Sequence, residues 1–127
     1  MSTPPFSVTV VDDDQALRQA ITRLLQVSGH DVHGFASAEA FLSDMPGKID
    51  CLVLDIDLGA RSGLALYRQL RERDAAAPVI FISGNCDPGH ARESDALGAT
   101  DFLLKPFEGS ALIAAVRRAC AAGADRS

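Results

Sequence analysis

Three consecutive acids, Asp12-Asp13-Asp14, follow the apolar run Ser7-Val8-Thr9-Val10-Val11. Carboxylates at the end of a buried strand repel one another and resist desolvation, so they persist with a cation or shared protons between them. A further acid, Asp55, ends the run Cys51-Leu52-Val53-Leu54, and a lysine, Lys105, ends Asp101-Phe102-Leu103-Leu104. Strands of a parallel sheet point one way, so their ends meet at one edge. Acids from two strands and a lysine from a third then converge on one pocket. Its chemistry suits a divalent metal and a phosphoryl group.

The elements that must position these residues follow from periodicity. Short apolar runs near 7–12, 31–35, 50–55, 79–82 and 100–104 read as strands. Between them lie amphipathic helices. Leu17, Ile21, Leu24, Leu25 and Ser28 mark the first, with Asp14 as its N-cap and Gly29 closing it. Ser37 caps a second that carries Phe41, Leu42 and Met45 and stops at Pro46-Gly47. Ser62 caps a third with Leu64, Leu66, Tyr67 and Leu70. Asp87-Pro88 opens a fourth that ends near Gly98, and Leu112, Ile113, Val116, Ala119 and Cys120 stripe the last. Five strands alternating with five helices predict an α/β, doubly wound, five-stranded parallel sheet. The flavodoxin-like order 2-1-3-4-5 sets the ends of strands 1 and 3 side by side at the switch point. The fourth helix, His90 to Leu97, offers little apolar surface and is expected to be mobile.

Composition excludes several classes. The 127 residues suit one domain with a real core. A net charge of −5 argues against direct nucleic-acid binding by this segment. There is no apolar run of membrane-span length and no signal-peptide pattern in Met1 to Pro5, so a cytoplasmic location is expected. Cys51, Cys86 and Cys120 show no metal spacing and read as reduced thiols, with Cys51 and Cys120 in the core and Cys86 in a loop at the active edge. His30, His33 and His90 are too scattered for a ligand set and are expected to be solvated or locally hydrogen-bonded.

Taken together, Val11-Asp12-Asp13-Asp14 with Arg18, Leu54-Asp55, Ser62-Gly63, Ile82-Ser83-Gly84 and Phe102 through Lys105-Pro106-Phe107 resemble the receiver domain of bacterial two-component response regulators. The likeness covers about residues 7–122, with a short tail at 1–6 and a tail or linker start at 123–127. Ser37 to Leu42 and Asp101 to Phe107 resemble receivers that precede LuxR-type helix-turn-helix output domains. The resemblance implies a CheY-like fold in which Asp55 accepts a phosphoryl group from a sensor histidine kinase or phosphotransfer protein. It implies Mg²⁺, or Mn²⁺ in its place, held by Asp12, Asp13, Asp55 and the backbone carbonyl of Asp57. Lys105, aimed by a cis Lys105-Pro106 bond, Ser83 and the Gly84 amide would meet the phosphoryl oxygens. Ser83 and Phe102 would act as the switch pair. The face of the fourth helix, fifth strand and last helix would carry the change to an output domain or partner, or to a second copy. Such a chain assists its own phosphotransfer and dephosphorylation but is a switch rather than an enzyme.

The loop after Asp55 departs from that family. Leu58 and Gly59 stand where Met and Pro are expected, and glycine is far freer in torsion, so a less preorganised loop is expected. Asp57 adds a carboxylate that could reach the metal or repel the phosphoryl group. Arg61 could touch that group or a partner, or remain solvated. Two other readings compete. One is a receiver-like docking module that works without phosphorylation. The other is a haloacid-dehalogenase-like phosphatase, whose DxD motif Asp55-Ile56-Asp57 resembles, although here an acidic pair precedes it.

Overall fold

The structure is a computed structural model that describes residues 5–85 and 87–124, with side chains to residue 122. Cys86 and both chain ends, 1–4 and 125–127, lie outside the described residues. The elements run β1 (Ser7–Val11), α1 (Gln15–Val27), β2 (Asp31–Phe35), α2 (Ala38–Ser43), β3 (Cys51–Asp55), α3 (Gly63–Glu72), β4 (Val79–Ser83), α4 (Pro88–Ala96), β5 (Asp101–Leu104) and α5 (Gly109–Ala124). The five strands form one parallel sheet in the order β2-β1-β3-β4-β5, as predicted. Central β3 and β4 are buried at every residue, which is why they read as unbroken apolar runs.

Helices on the two faces close two cores. Val8, Val10, Val53 and Ile80 meet Ile21 and Leu25 of α1 and Leu112 and Val116 of α5. Val11, Leu52, Leu54 and Phe81 meet Phe41 of α2 and Leu66 and Leu70 of α3. The caps hold as expected. Asp14, Ser37, Ser62 and Asp87 each accept a hydrogen bond from a first-turn amide. None of the described helices is long and apolar enough to cross a membrane.

Several expectations need correction. The second helix stops at Ser43, so Met45 packs against the core from the loop that follows. On α5, Ala115 is buried and Ile113 only half-buried. His30 is neither solvated nor hydrogen-bonded. It is 4% exposed, neither ring nitrogen has a hydrogen-bond partner, and its ring lies 5.7 Å from that of Phe6. Burial, with Arg117 nearby, lowers its pKa below 6.5. Cys51 and Cys120 are buried free thiols, and the Cys120 thiol beside it, together with burial, pushes Cys51 well up. The sequence pattern gave no sign of the antiparallel hairpin between β3 and α3, which pairs Asp57 with Ser62 and Leu58 with Arg61. Gly59 takes φ 70 in its two-residue turn. Positive φ at the first turn residue suits a tight hairpin and is closed to proline. The segment after Asp55 is a closed hairpin with Leu58 buried beneath it.

Candidate functional site

Each acid is fixed by its own loop before it faces the pocket. Asp12 directly follows β1 and is 0% exposed. Its Oδ1 accepts from the Asp14 amide at 2.9 Å, while its backbone carbonyl accepts from Arg18 Nη1 at 2.7 Å. Asp55 ends β3 at 2% exposure, and its Oδ1 accepts from the Asp57 amide at 3.0 Å. In both residues Oδ1 tightens a turn and Oδ2 faces the pocket. Lys105, after β5, donates from Nζ to Asp55 Oδ2 at 3.1 Å. The same Nζ lies 3.5 Å from Asp12 Oδ2 as an ion pair without hydrogen-bond geometry. The Lys105-Pro106 bond is cis, as expected.

The electrostatics follow from this crowding. Burial, and less strongly the Asp12 charge, outweigh Lys105 and the Asp57 amide and leave the Asp55 carboxyl pushed up to about 6. Burial works against the Lys105 charge, but Asp55 and Asp12 outweigh it and raise its pKa. Asp12, Asp13 and Asp55 bring ligand oxygens within 4.8 Å of one another, the one such group among the described residues. The unsatisfied Oδ2 of a fully buried Asp12 is what a hard oxygen-seeking cation would complete. The residues therefore fit Mg²⁺. The Asp57 side chain is exposed and outside this group. Arg61 is half-buried and donates to Gln69 Oε1 on α3.

The remaining predicted residues gather around the same edge. Ser83 is buried at the end of β4. Its hydroxyl accepts from the Asn85 amide at 3.0 Å and donates to the Asn85 carbonyl at 3.2 Å, so it turns toward its own loop. Gly84 is exposed beside the Lys105 side chain, whose Cδ would lie 4.0 Å from a Cβ placed there. Phe102 is half-buried, in register with Phe81, and lines a 250 Å³ cavity between α4 and β5. A 470 Å³ cavity between Met45 and Pro78 lies at the opposite edge of the sheet and takes no part in this chemistry.

Two contributions escaped the sequence reading. Gly63 stood there only as part of a motif, yet a Cβ on it would come 2.2 Å from the Asp55 carbonyl oxygen, so α3 starts directly against the Asp55 backbone. Arg68 and Arg71 of α3 reach across to α4. Their spacing marks one helix face, but nothing in a single sequence identifies the acceptors.

A doubly wound sheet that gathers buried acids and a lysine at its switch point belongs to the α/β class whose ligand site lies at the carboxyl ends of the strands. The chain belongs to the response regulator receiver domain family, whose profile matches residues 8–117. It is 38% identical over 120 residues to the response regulator protein TodT of Pseudomonas putida F1, covering 94% of this chain and 53% of TodT. It is 42% identical over 120 residues to the transcriptional regulatory protein FixJ of Azorhizobium caulinodans, covering 94% of this chain and 57% of FixJ. The chain thus spans about half the length of these relatives. Among solved structures, FixJ-N matches at TM-score 0.84 and 35% identity over 94% of this chain and 96% of that one. The BeF₃-activated DrrB receiver domain matches at TM-score 0.79 and 30% identity, covering 91% and 97%.

Proposed function

We propose that this chain is a phosphorylation switch in which Asp55 receives a phosphoryl group from a histidine kinase or phosphotransfer protein. The observation that carries the proposal is the placement of Asp55 Oδ2, buried, 3.1 Å from Lys105 Nζ and grouped with Asp12 and Asp13. The Asp55 carboxylate oxygen attacks phosphorus, the bond from phosphorus to the donor breaks, and an acyl phosphate forms. Lys105 then exchanges its carboxylate contact for the new phosphoryl oxygens. Asp12, Asp13, Asp55 and the Asp57 carbonyl would hold Mg²⁺, or Mn²⁺. When bound, the ion supplies charge that offsets repulsion between these acids and the phosphoryl oxygens.

Ser83 is the first residue of the response. Its hydroxyl has only the short Asn85 turn to leave. It rotates to donate to the phosphoryl oxygen, beside the Gly84 amide, and the vacated space admits Phe102. The result is a population shift rather than turnover of a substrate. The α4-β5-α5 face passes it to an output domain or partner, or to a second copy, in the cytoplasm. Residues 7–122 form the switching unit.

The test is intact mass after incubation with acetyl phosphate, with and without Mg²⁺. One phosphoryl group that requires both Mg²⁺ and Asp55 is expected, and it should be absent from Asp55→Asn. An unmodified native chain under every condition, with no response to BeF₃⁻, would overturn the proposal in favour of a phosphorylation-independent docking module.

A further inference from the structure

The core holds α4 weakly. Ser94 is its single buried residue, and no apolar side chain of Pro88–Ala96 is buried. Its polar links run instead to α3. Arg68 pairs with Glu93 in the middle of α4, and Arg71 donates from Nη1 to the carbonyl of Leu97, the C-cap, at 3.3 Å. A guanidinium at that end also meets the negative pole of the helix.

The other end of α3 is joined to the phosphoacceptor strand. Ser62 caps it, the Gly63 amide donates to the Ile56 carbonyl at 2.8 Å, and Gly63 abuts the Asp55 carbonyl oxygen. One ten-residue helix therefore touches the Asp55 backbone at its start and grips α4 at its finish. We propose that α3 is a strut and that Arg68 and Arg71 are positioning residues. Through them a shift of the Asp55 segment reaches α4 without passing through Ser83 or Phe102. The proposal rests on phosphorylation of Asp55 as argued above.

An exposed ion pair is usually worth little, and the side chains of Arg68 and Glu93 are each 48% exposed. The difference lies in α4. Within Pro88–Ala96 no apolar side chain is buried, and Leu97 at the C-cap is only partly buried against the core, so two small terms make a sizeable share of what keeps α4 docked.

The test is hydrogen exchange on the full chain, read at α4 amides with α5 amides as internal reference. It is run before and after acetyl phosphate and Mg²⁺, with phosphorylation followed by mass on the same samples. In Arg68→Gln/Arg71→Gln, resting α4 amides should exchange roughly two- to fivefold faster while α5 is unchanged. High salt should do the same to the native chain, and Arg23→Gln, which removes a charge from the exposed face of α1, should not. Both chains should phosphorylate equally, but the change in α4 on phosphorylation should be smaller in the variant. Native-like resting exchange in the variant, or an undiminished response to phosphorylation, would overturn the strut. A native chain that takes no phosphoryl group would instead overturn the proposed function, while resting exchange would still decide whether the arginines hold α4.

Discussion

Lys105 Nζ stands 3.1 Å from Oδ2 of Asp55, across 50 residues of sequence and past the end of the intervening strand β4. Removing that ammonium leaves two buried carboxylates, Asp12 and Asp55, facing each other. Lys105→Ala should therefore destabilise the metal-free protein by about 1–3 kcal/mol at pH 8. The loss should be smaller at pH 5, where Asp55 carries a proton. Chemical denaturation at the two pH values checks this, and equal losses would mean that the lysine matters only through packing.

The raised pKa of Asp55 has a definite sign in stability. Its folded value, about 6, lies above its ordinary 3.8, so the folded state binds this proton more tightly. The stability from that proton is fully present below 3.8 and is lost as pH rises through 6. Asp55→Asn should then stabilise the metal-free chain at pH 8 relative to native and lose that advantage by pH 4. Thermal melts across this range read the difference.

His30 carries the opposite slope. Its pKa is lowered, so below 6.5 the unfolded chain takes up a proton that the folded ring resists. Stability from neutral His30 is present above 6.5 and is lost as pH falls. His30→Leu should flatten the decline in melting temperature between pH 6.5 and 5. An unchanged slope would assign that decline to other groups.

Much of this was legible in the chain. Strand ends at Asp12, Asp55 and Lys105 follow from apolar runs that stop at a charge, and parallel order then brings them together. Caps at Asp14, Ser37, Ser62 and Asp87 are local chemistry, readable within four residues. His30 was misread because its burial comes from Phe6 and the α5 side of the core, which no local pattern reports. The links from Arg68 to Glu93 and from Arg71 to the Leu97 carbonyl depend on how α3 and α4 lie side by side, a tertiary fact. The hairpin at 57–62 was missed because two-residue strands have no period to detect.

That hairpin depends on Gly59. At φ 70 an alanine is strained by about 1–2 kcal/mol, and a proline cannot adopt the angle at all. Gly59→Ala should lower stability by that amount. Gly59→Pro, which restores the proline usual in the family, should abolish protection of the 57–62 amides in hydrogen exchange. Retained protection in the proline variant would show that the turn does not need this glycine.

The central claim is that Asp55, among four neighbouring aspartates, takes the phosphoryl group. Borohydride reduces an acyl phosphate of aspartate to homoserine, which peptide sequencing by mass locates to one residue. After acetyl phosphate and Mg²⁺, homoserine is expected at Asp55 alone. Homoserine at Asp12, Asp13 or Asp57 would contradict the assignment, and its absence from a chain that had gained phosphoryl mass would exclude an aspartyl phosphate.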